Sequence, residues 1–282
     1  MRQGRDKTMG RKKQLIIPIF IPFGGCPNRC VFCDQEGITG EEKMPTLKET
    51  ADTIDSYLST WKGRGGKEIA FYGGSFTALP EEAQLEYLKT AFGYVSGGRV
   101  DSVRVSTRPD RVTPEIIEYL KRYGVGTVEL GAQSMSDEVL RASGRGHTAK
   151  STADAVRLLR DGGFKVGLQF MPGLPGDDKG TVLRTTEEII SLKPDFVRVY
   201  PTLVLKNTPL HRMYLSESYR PWTLEDMVEL CSLVYDLLTD AGVPVVRMGL
   251  QPTADLERNL VAGPYHPSFR QLVEGRLGGA GV

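Results

Sequence analysis

Three of the four cysteines, Cys26, Cys30 and Cys33, fall within eight residues, and Cys231 stands alone far downstream. Thiolates are soft ligands, and spacings of four and three let these three wrap one centre. A structural zinc site is closed by four ligands, and here the fourth has no obvious source. Cys231 sits in a helix-like apolar pattern, where it reads as a buried thiol, and His147, His211 and His266 are not spaced as ligands beside the triplet. A four-iron cluster normally takes four cysteines; with three, one iron stays open to an outside ligand, as catalytic centres require. A three-cysteine iron–sulfur site is therefore preferred, with zinc and unliganded thiols as alternatives. So few cysteines exclude a disulfide scaffold and point to a reducing cytoplasm.

The elements that must position these thiols alternate. Runs rich in β-branched residues predict strands at Leu15–Phe23, Glu68–Gly73, Ser102–Thr107, Thr127–Gln133, Lys165–Phe170, Phe196–Leu203 and Val245–Leu250. Amphipathic stretches predict helices at Leu47–Trp61, Pro80–Val95, Pro114–Arg122, Ser136–Ala142, Thr152–Asp161, Gly180–Leu192 and Leu224–Asp240. Thr113, Ser151 and Thr223 are placed as N-caps, and Pro80 and Pro114 suit a first helical turn. Gly124, Gly163 and Gly242 each follow a helix pattern and precede the next strand, the position where glycine accepts the left-handed backbone. Alternation at this period predicts a parallel sheet closed into an open, partial (β/α)6-type TIM barrel, with a doubly wound open sheet as the alternative. The expected organisation is a flexible basic N-terminus (1–14), a core barrel (15–253) and a short C-terminal extension (254–282) with a loose Gly-rich tail. The cysteine loop then leaves the first strand at the barrel's C-terminal end, where such folds hold their sites.

Composition narrows the partners. The 282 residues carry 36 Lys+Arg against 35 Asp+Glu, a formal charge of +1, with 40% apolar and 25% charged residues. This balance argues against a bulk electrostatic grip on nucleic acid and leaves a small-molecule substrate slightly favoured. The longest apolar stretch, Leu15–Phe23, is interrupted by two prolines and is far short of the roughly 20 residues that span a bilayer, so no membrane role is expected. No secretory cleavage pattern follows the basic start.

The segment Cys26-Pro27-Asn28-Arg29-Cys30-Val31-Phe32-Cys33 after a first strand resembles the signature of the radical S-adenosylmethionine superfamily. Further matches follow in order: Gly73-Gly74 like the family's "GGE" element, Gln133 at the end of the fourth strand, Gly144-Arg145-Gly146-His147, and Gln169 with Gly173-x-x-Gly176 after the fifth. The resemblance implies a partial TIM barrel. It implies that Cys26, Cys30 and Cys33 hold a [4Fe–4S] cluster whose open iron chelates S-adenosylmethionine, cleaved to methionine and a 5′-deoxyadenosyl radical. It assigns Phe32, Gly73, Gly74, Gln133, Arg145, Gln169 and Gly173 to the cosubstrate, with His147 anchoring its loop. Ser106 stands where related enzymes often have Glu, so that contact is not carried over.

Tyr200-Pro201-Thr202 and Asn207-Thr208-Pro209-Leu210 resemble one branch, the Elongator catalytic subunit and its relatives, kin to oxygen-independent coproporphyrinogen oxidase. That branch implies an enzyme acting on a small molecule or a modified nucleobase, with tRNA as a candidate partner and a flavodoxin or ferredoxin as reductant. The 29 residues after Thr253 are too few for an acetyltransferase domain, and Asp34-Gln35 replaces the further cysteine that goes with coproporphyrinogen chemistry. Arg108, Tyr200, Lys206, Tyr265 and His266 are the candidate substrate residues. The rival from another class is a non-enzymatic iron–sulfur carrier or zinc-binding module.

Overall fold

The computed structural model describes residues 14–22, 25–27, 30–34 and 43–279. Among them, seven strands form one parallel sheet: β1 (Leu15–Ile21), β2 (Lys67–Gly73), β3 (Ser102–Thr107), β4 (Val125–Gln133), β5 (Lys165–Phe170), β6 (Phe196–Val199) and β8 (Val245–Met248). The order is sequential, β1-β2-β3-β4-β5-β6-β8, and every neighbouring pair is parallel. The sheet curls into an open partial TIM barrel, which discards the doubly wound alternative: there the strand order would reverse.

Parallel neighbours require crossovers, and helices supply them: α1 (Leu47–Thr60), α2 (Glu81–Ser96), α3 (Pro114–Arg122), α4 (Asp137–Ala142), α5 (Ala149–Asp161), α6 (Lys179–Ser191), α7 (Pro209–Leu215) and α8 (Leu224–Asp240). Their apolar faces and one face of each strand build a single large core, with Ile17, Ile69, Val103, Val128, Leu168 and Val197 fully or almost fully buried. The period of two sends the intervening residues into the barrel. There Glu68, Arg104, Glu129 and Arg198 meet one another, so the inner face is ionic where the outer face is aliphatic.

Several boundaries differ from expectation for local reasons. The sixth strand stops at Val199 rather than Leu203, because Pro201 has no N–H for a ladder. The chain turns away, and Val204–Leu205 (β7) pairs antiparallel with Leu260–Ala262 (β9), which follows α9 (Ala254–Asn259). The fourth strand starts earlier, at Val125, which pairs with Val103. The N-cap of α5 is Thr148, whose side chain accepts from Ser151 N; Ser151 lies inside the helix. Pro80 is itself the residue before α2. Thr113 and Thr223 do cap their helices, and Gly124, Gly163 and Gly242 take left-handed φ values of 72°, 82° and 74°. The C-terminal extension is stitched to the barrel by β9 and by α10 (Phe269–Gly279), which packs on α8. Helix thus runs through Gly278 and Gly279, which had been expected to be loose; the basic N-terminal residues and the end of the Leu15–Phe23 run fall outside the described residues. No helix among the described residues is long and apolar enough to cross a membrane.

Candidate functional site at the strand ends

The cysteine loop is held from three sides. Gly25 adopts φ 71°, and a Cβ there would lie 2.3 Å from the Ser75 carbonyl oxygen, so the loop rests directly on the turn after β2. Val31 N donates to Ser143 O at 3.0 Å and Leu210 N donates to Val31 O at 2.8 Å, tying the loop to the ends of α4 and α7. Cys33 N donates to Cys30 O at 3.1 Å, closing a turn between the last two thiols. Phe32 packs beside Tyr200 against Val139, Met171 and Leu174.

These contacts bring Cys26, Cys30 and Cys33 to one cavity of about 270 Å³ at the C-terminal ends of the strands. Gly73, Gly74, Gln133, Arg145, Gln169 and Tyr200 line the same cavity. Gly74 N donates to Ile21 O at 2.8 Å, and Gly73 has φ 103°, a conformation open to glycine at little cost.

Gln133 is presented by a strained backbone. It has φ 66° at a register shift in β4, a conformation that costs a non-glycine residue about 1 kcal/mol or more. Its neighbours hold it there. Met171 N donates to Gln133 O at 2.8 Å, and Ala132 O accepts from Ser134 N at 2.9 Å. His147 Nε2 lies 3.2 Å from Ala132 O and must be the protonated nitrogen, since a carbonyl only accepts. Burial, then the nearby Arg145 and Arg108 guanidinium groups, pull the His147 pKa down to about 4, so the ring is neutral near pH 7 and serves as an anchor. The Gln169 side-chain nitrogen reaches Gln133 Oε1 at 3.3 Å.

Arg145 is buried at 6% exposure. Its Nη2 donates to Gly131 O at 2.8 Å, its Nη1 lies 3.6 Å from Cys30 Sγ, and its Nε is buried without a partner among the described residues.

The floor is a charge network that sequence reasoning missed. Glu129 lines the cavity and accepts from Arg104 Nη1 at 2.5 Å, Arg198 Nε at 2.7 Å and Arg198 Nη2 at 3.1 Å. Arg104 Nε also donates to Glu68 Oε2 at 2.8 Å, and Thr127 Oγ1 donates to Glu68 Oε1 at 2.8 Å. Two carboxylates against two guanidinium groups leave the interior formally neutral. The available signal was a charge flanked by aliphatics, as in Val103-Arg104-Val105, Val128-Glu129-Leu130 and Val197-Arg198-Val199.

Other candidates lie elsewhere. Arg108 is 1% exposed and bonded through Nε to Asp110 at 2.9 Å, outside the cavity lining. Lys206 Nζ donates to Arg258 O at 2.7 Å on the surface. Tyr265 and His266 border an adjoining crevice that shares Pro201, Leu203 and Leu250 with the cavity. Gly173 lies behind the lining: its N–H donates to Asp177 Oδ2 at 3.0 Å and its carbonyl accepts from Tyr219 at 2.6 Å. Burial pushes the Asp177 carboxyl up to about 7. Cys231 is fully buried in α8, and burial raises its thiol.

The donor set suits a multi-iron cluster better than a single ion. Three thiols share one lining, and among the described lining residues no histidine or fourth cysteine joins them to close a four-ligand site. A cluster spreads its thiolates over different irons. The unpartnered Arg145 Nε beside them leaves a donor for an anionic ligand.

A model described as the Radical SAM superfamily matches residues 20–189, and one described as the Radical_SAM C-terminal domain matches 194–278. The tRNA uridine(34) acetyltransferase of Methanocaldococcus jannaschii is 29% identical over 255 residues, covering 76% of this chain and 47% of the relative. Elongator complex protein 3 of Mus musculus is 28% identical over 264 residues, covering 85% of this chain and 45% of the relative. The chain therefore spans about half the length of these curated relatives. Among solved structures, archaeal Methanocaldococcus infernus Elp3 superposes with TM-score 0.74 at 22% identity, covering 96% of this chain and 64% of that one. Coproporphyrinogen III oxidase from Escherichia coli superposes with TM-score 0.59 at 17% identity, covering 82% and 54%.

Proposed function

This chain belongs to the radical S-adenosylmethionine superfamily, in the branch of the Elongator catalytic subunit, and from that premise we propose that it acts on a nucleobase-like group, with a uridine of tRNA as the favoured substrate. It is an enzyme, and its cofactors are a [4Fe–4S] cluster and S-adenosylmethionine. Held by Cys26, Cys30 and Cys33, the reduced cluster would supply the one electron that cleaves the bound sulfonium, and the cosubstrate would supply the 5′-deoxyadenosyl group that takes hydrogen from the substrate.

The observation that carries the reading is the meeting of Cys26, Cys30 and Cys33 with Gly73, Gly74, Gln133, Arg145 and Gln169 around one cavity. A carrier or a zinc module has no use for the second set. The three thiolates would hold the cluster. Phe32 and the polar groups would hold the cosubstrate, with Gly173 acting through the turn behind Met171. Arg145 is fixed by its bond to Gly131 O and Gln133 by Gln169, contacts that lower the cost of ordering these side chains around a ligand.

Beyond these residues the lining turns apolar, with Pro201, Leu203, Leu205 and Leu250 beside the Tyr200 ring. The charge on the floor, Glu129, is already matched by Arg104 and Arg198. Such a wall suits a flat, uncharged ring and offers nothing to a phosphate. The near-neutral composition had favoured a free small molecule, but the tRNA-directed relatives weigh against that. Acetyl transfer is not carried over from them. A flavodoxin- or ferredoxin-type donor would supply the electron, and a reducing cytoplasm suits four cysteines of which none is in a disulfide.

The test is the reconstituted enzyme given S-adenosylmethionine, reductant and either tRNA or free nucleosides. The reading expects tRNA to raise 5′-deoxyadenosine formation and to be retained at low salt, where phosphate contacts are strongest. Equal stimulation by free nucleosides, with no RNA retained, would replace the macromolecular substrate by a small one.

A further inference from the structure

We infer that Arg145 sets the reduction potential of the cluster through Cys30. The inference rests on the cluster reading above and adds a role for this chain's own guanidinium. Arg145 Nη1 lies 3.6 Å from Cys30 Sγ, within hydrogen-bond reach of sulfur. Both residues are buried, at 6% and 5% exposure, so water and salt screen the contact weakly.

The guanidinium is fixed from the other side as well. Its Nη2 donates to Gly131 O at 2.8 Å, and a Cβ on residue 131 would lie 2.9 Å from that nitrogen, so the approach depends on glycine. Arg145 N donates to Leu140 O at 2.9 Å, fastening its backbone to α4. The same α4 end holds the cysteine loop, because Ser143 O accepts from Val31 N. Cys30 and Arg145 are thus positioned by one short segment.

The electrostatics has one sign. The other charged side chain in the described lining is Glu129, neutralised by two arginines. Arg145 is therefore the cation that the thiolates face. Reduction adds one electron, and a fixed positive charge with an N–H···S bond stabilises the more negative state. Hydrogen bonds to sulfur are among the determinants of such potentials. The bond falls on one thiolate of three, so the iron held by Cys30 is distinguished from the other two.

The experiment is a redox titration of the reconstituted enzyme followed by electron paramagnetic resonance, without S-adenosylmethionine. We compare the wild type with Arg145→Met, Arg145→Lys and, as a control for net charge, Arg157→Met on the exposed face of α5. At a fixed potential, Arg145→Met should lower the ratio of reduced to oxidised cluster about tenfold, a negative shift of about 59 mV for one electron. Arg145→Lys should shift it in the same direction by less, because charge is kept and the fork is lost. Arg157→Met should leave it in place. If Arg145→Met fails to take up iron, the lysine variant decides: a potential equal to the wild type's overturns the inference. Unchanged potentials in a protein that still cleaves S-adenosylmethionine overturn the role of Arg145 alone, whereas a wild type that takes up no cluster overturns the underlying reading.

Discussion

Arg198 grips Glu129 with two nitrogens, Nε at 2.7 Å from Oε2 and Nη2 at 3.1 Å from Oε1, beneath the cavity that holds the three thiols. Both side chains are largely buried, so neither charge tolerates the loss of its partner. Removing one partner of a buried pair costs about 3–5 kcal/mol, while replacing both by apolar groups is often nearly neutral. Arg198→Met should therefore destabilise the fold by about 3 kcal/mol in chemical denaturation. Adding Glu129→Leu should recover more than half of that loss. A double variant less stable than the single one would show that the network is not a balanced set of charges.

His147 gives the protein an acid limit. Its ring is held near a pKa of about 4 in the fold, against an ordinary 6.5 for histidine, chiefly by burial. The folded pKa is depressed, so the stability it contributes is present above pH 6.5. It is lost as pH falls from there through about 4, because the unfolded chain takes the proton first. The full window is worth about 3 kcal/mol. His147→Gln should flatten this part of the stability–pH curve. It should also weaken S-adenosylmethionine binding, since the Ala132–Gln133 bulge loses its anchor. A curve that keeps its slope in the variant assigns the acid limit to another group.

Asp177 acts with the opposite sign. Burial raises its carboxyl to about 7 where Oδ2 accepts from Gly173 N and Oδ1 has no partner among the described residues. The stability it contributes is full below the ordinary aspartate value of 3.8 and is lost as pH rises through about 7. Asp177→Asn keeps an acceptor for Gly173 and removes the charge. Its advantage over wild type should grow between pH 4 and 7 and level off above, reaching up to about 4 kcal/mol. A constant difference across that range would mean that the carboxyl is not held neutral.

Gly25 separates loop placement from global stability. Gly25→Ala forces a Cβ to within 2.3 Å of Ser75 O, at a φ of 71° that alanine resists. The loop must lift from the end of β2, which moves Cys26 relative to Cys30. Iron uptake should fall at least several-fold while the melting temperature changes by only a few degrees, because the barrel core is untouched. Undiminished iron content would show that this seating is not what aligns the thiols.

Much of the barrel was legible because each strand keeps β-branched and aliphatic residues on its helix-covered face and a helix pattern follows it. β5, α3 and α8 fall on the residues expected, and Gly124, Gly163 and Gly242 follow the ends of α3, α5 and α8. Gly73, Gly74, Gln133, Arg145 and Gln169 were collected through the family resemblance of their motifs; Gly73, Gly74, Gln133 and Gln169 lie at or near strand ends, and Arg145 reaches the same cavity from the turn after α4. The Glu68–Arg104–Glu129–Arg198 network was not legible, since pairing across four strands depends on register. Each charge alone reads as an interruption in an apolar run. Arg108 and Lys206 do not line the cavity for a related reason: a basic residue just past a strand can turn either into the cavity or, as here, toward Asp110 or the Arg258 carbonyl.

The most direct test of the whole account is 5′-deoxyadenosine formation by the anaerobically reconstituted protein with dithionite and S-adenosylmethionine. Wild type and Cys231→Ala should both carry iron and sulfide and release 5′-deoxyadenosine, since Cys231 lies buried in α8 away from the cavity. Cys30→Ala should lose both cluster and product. A colourless zinc protein, or a cluster-loaded wild type that releases no 5′-deoxyadenosine, would contradict the account.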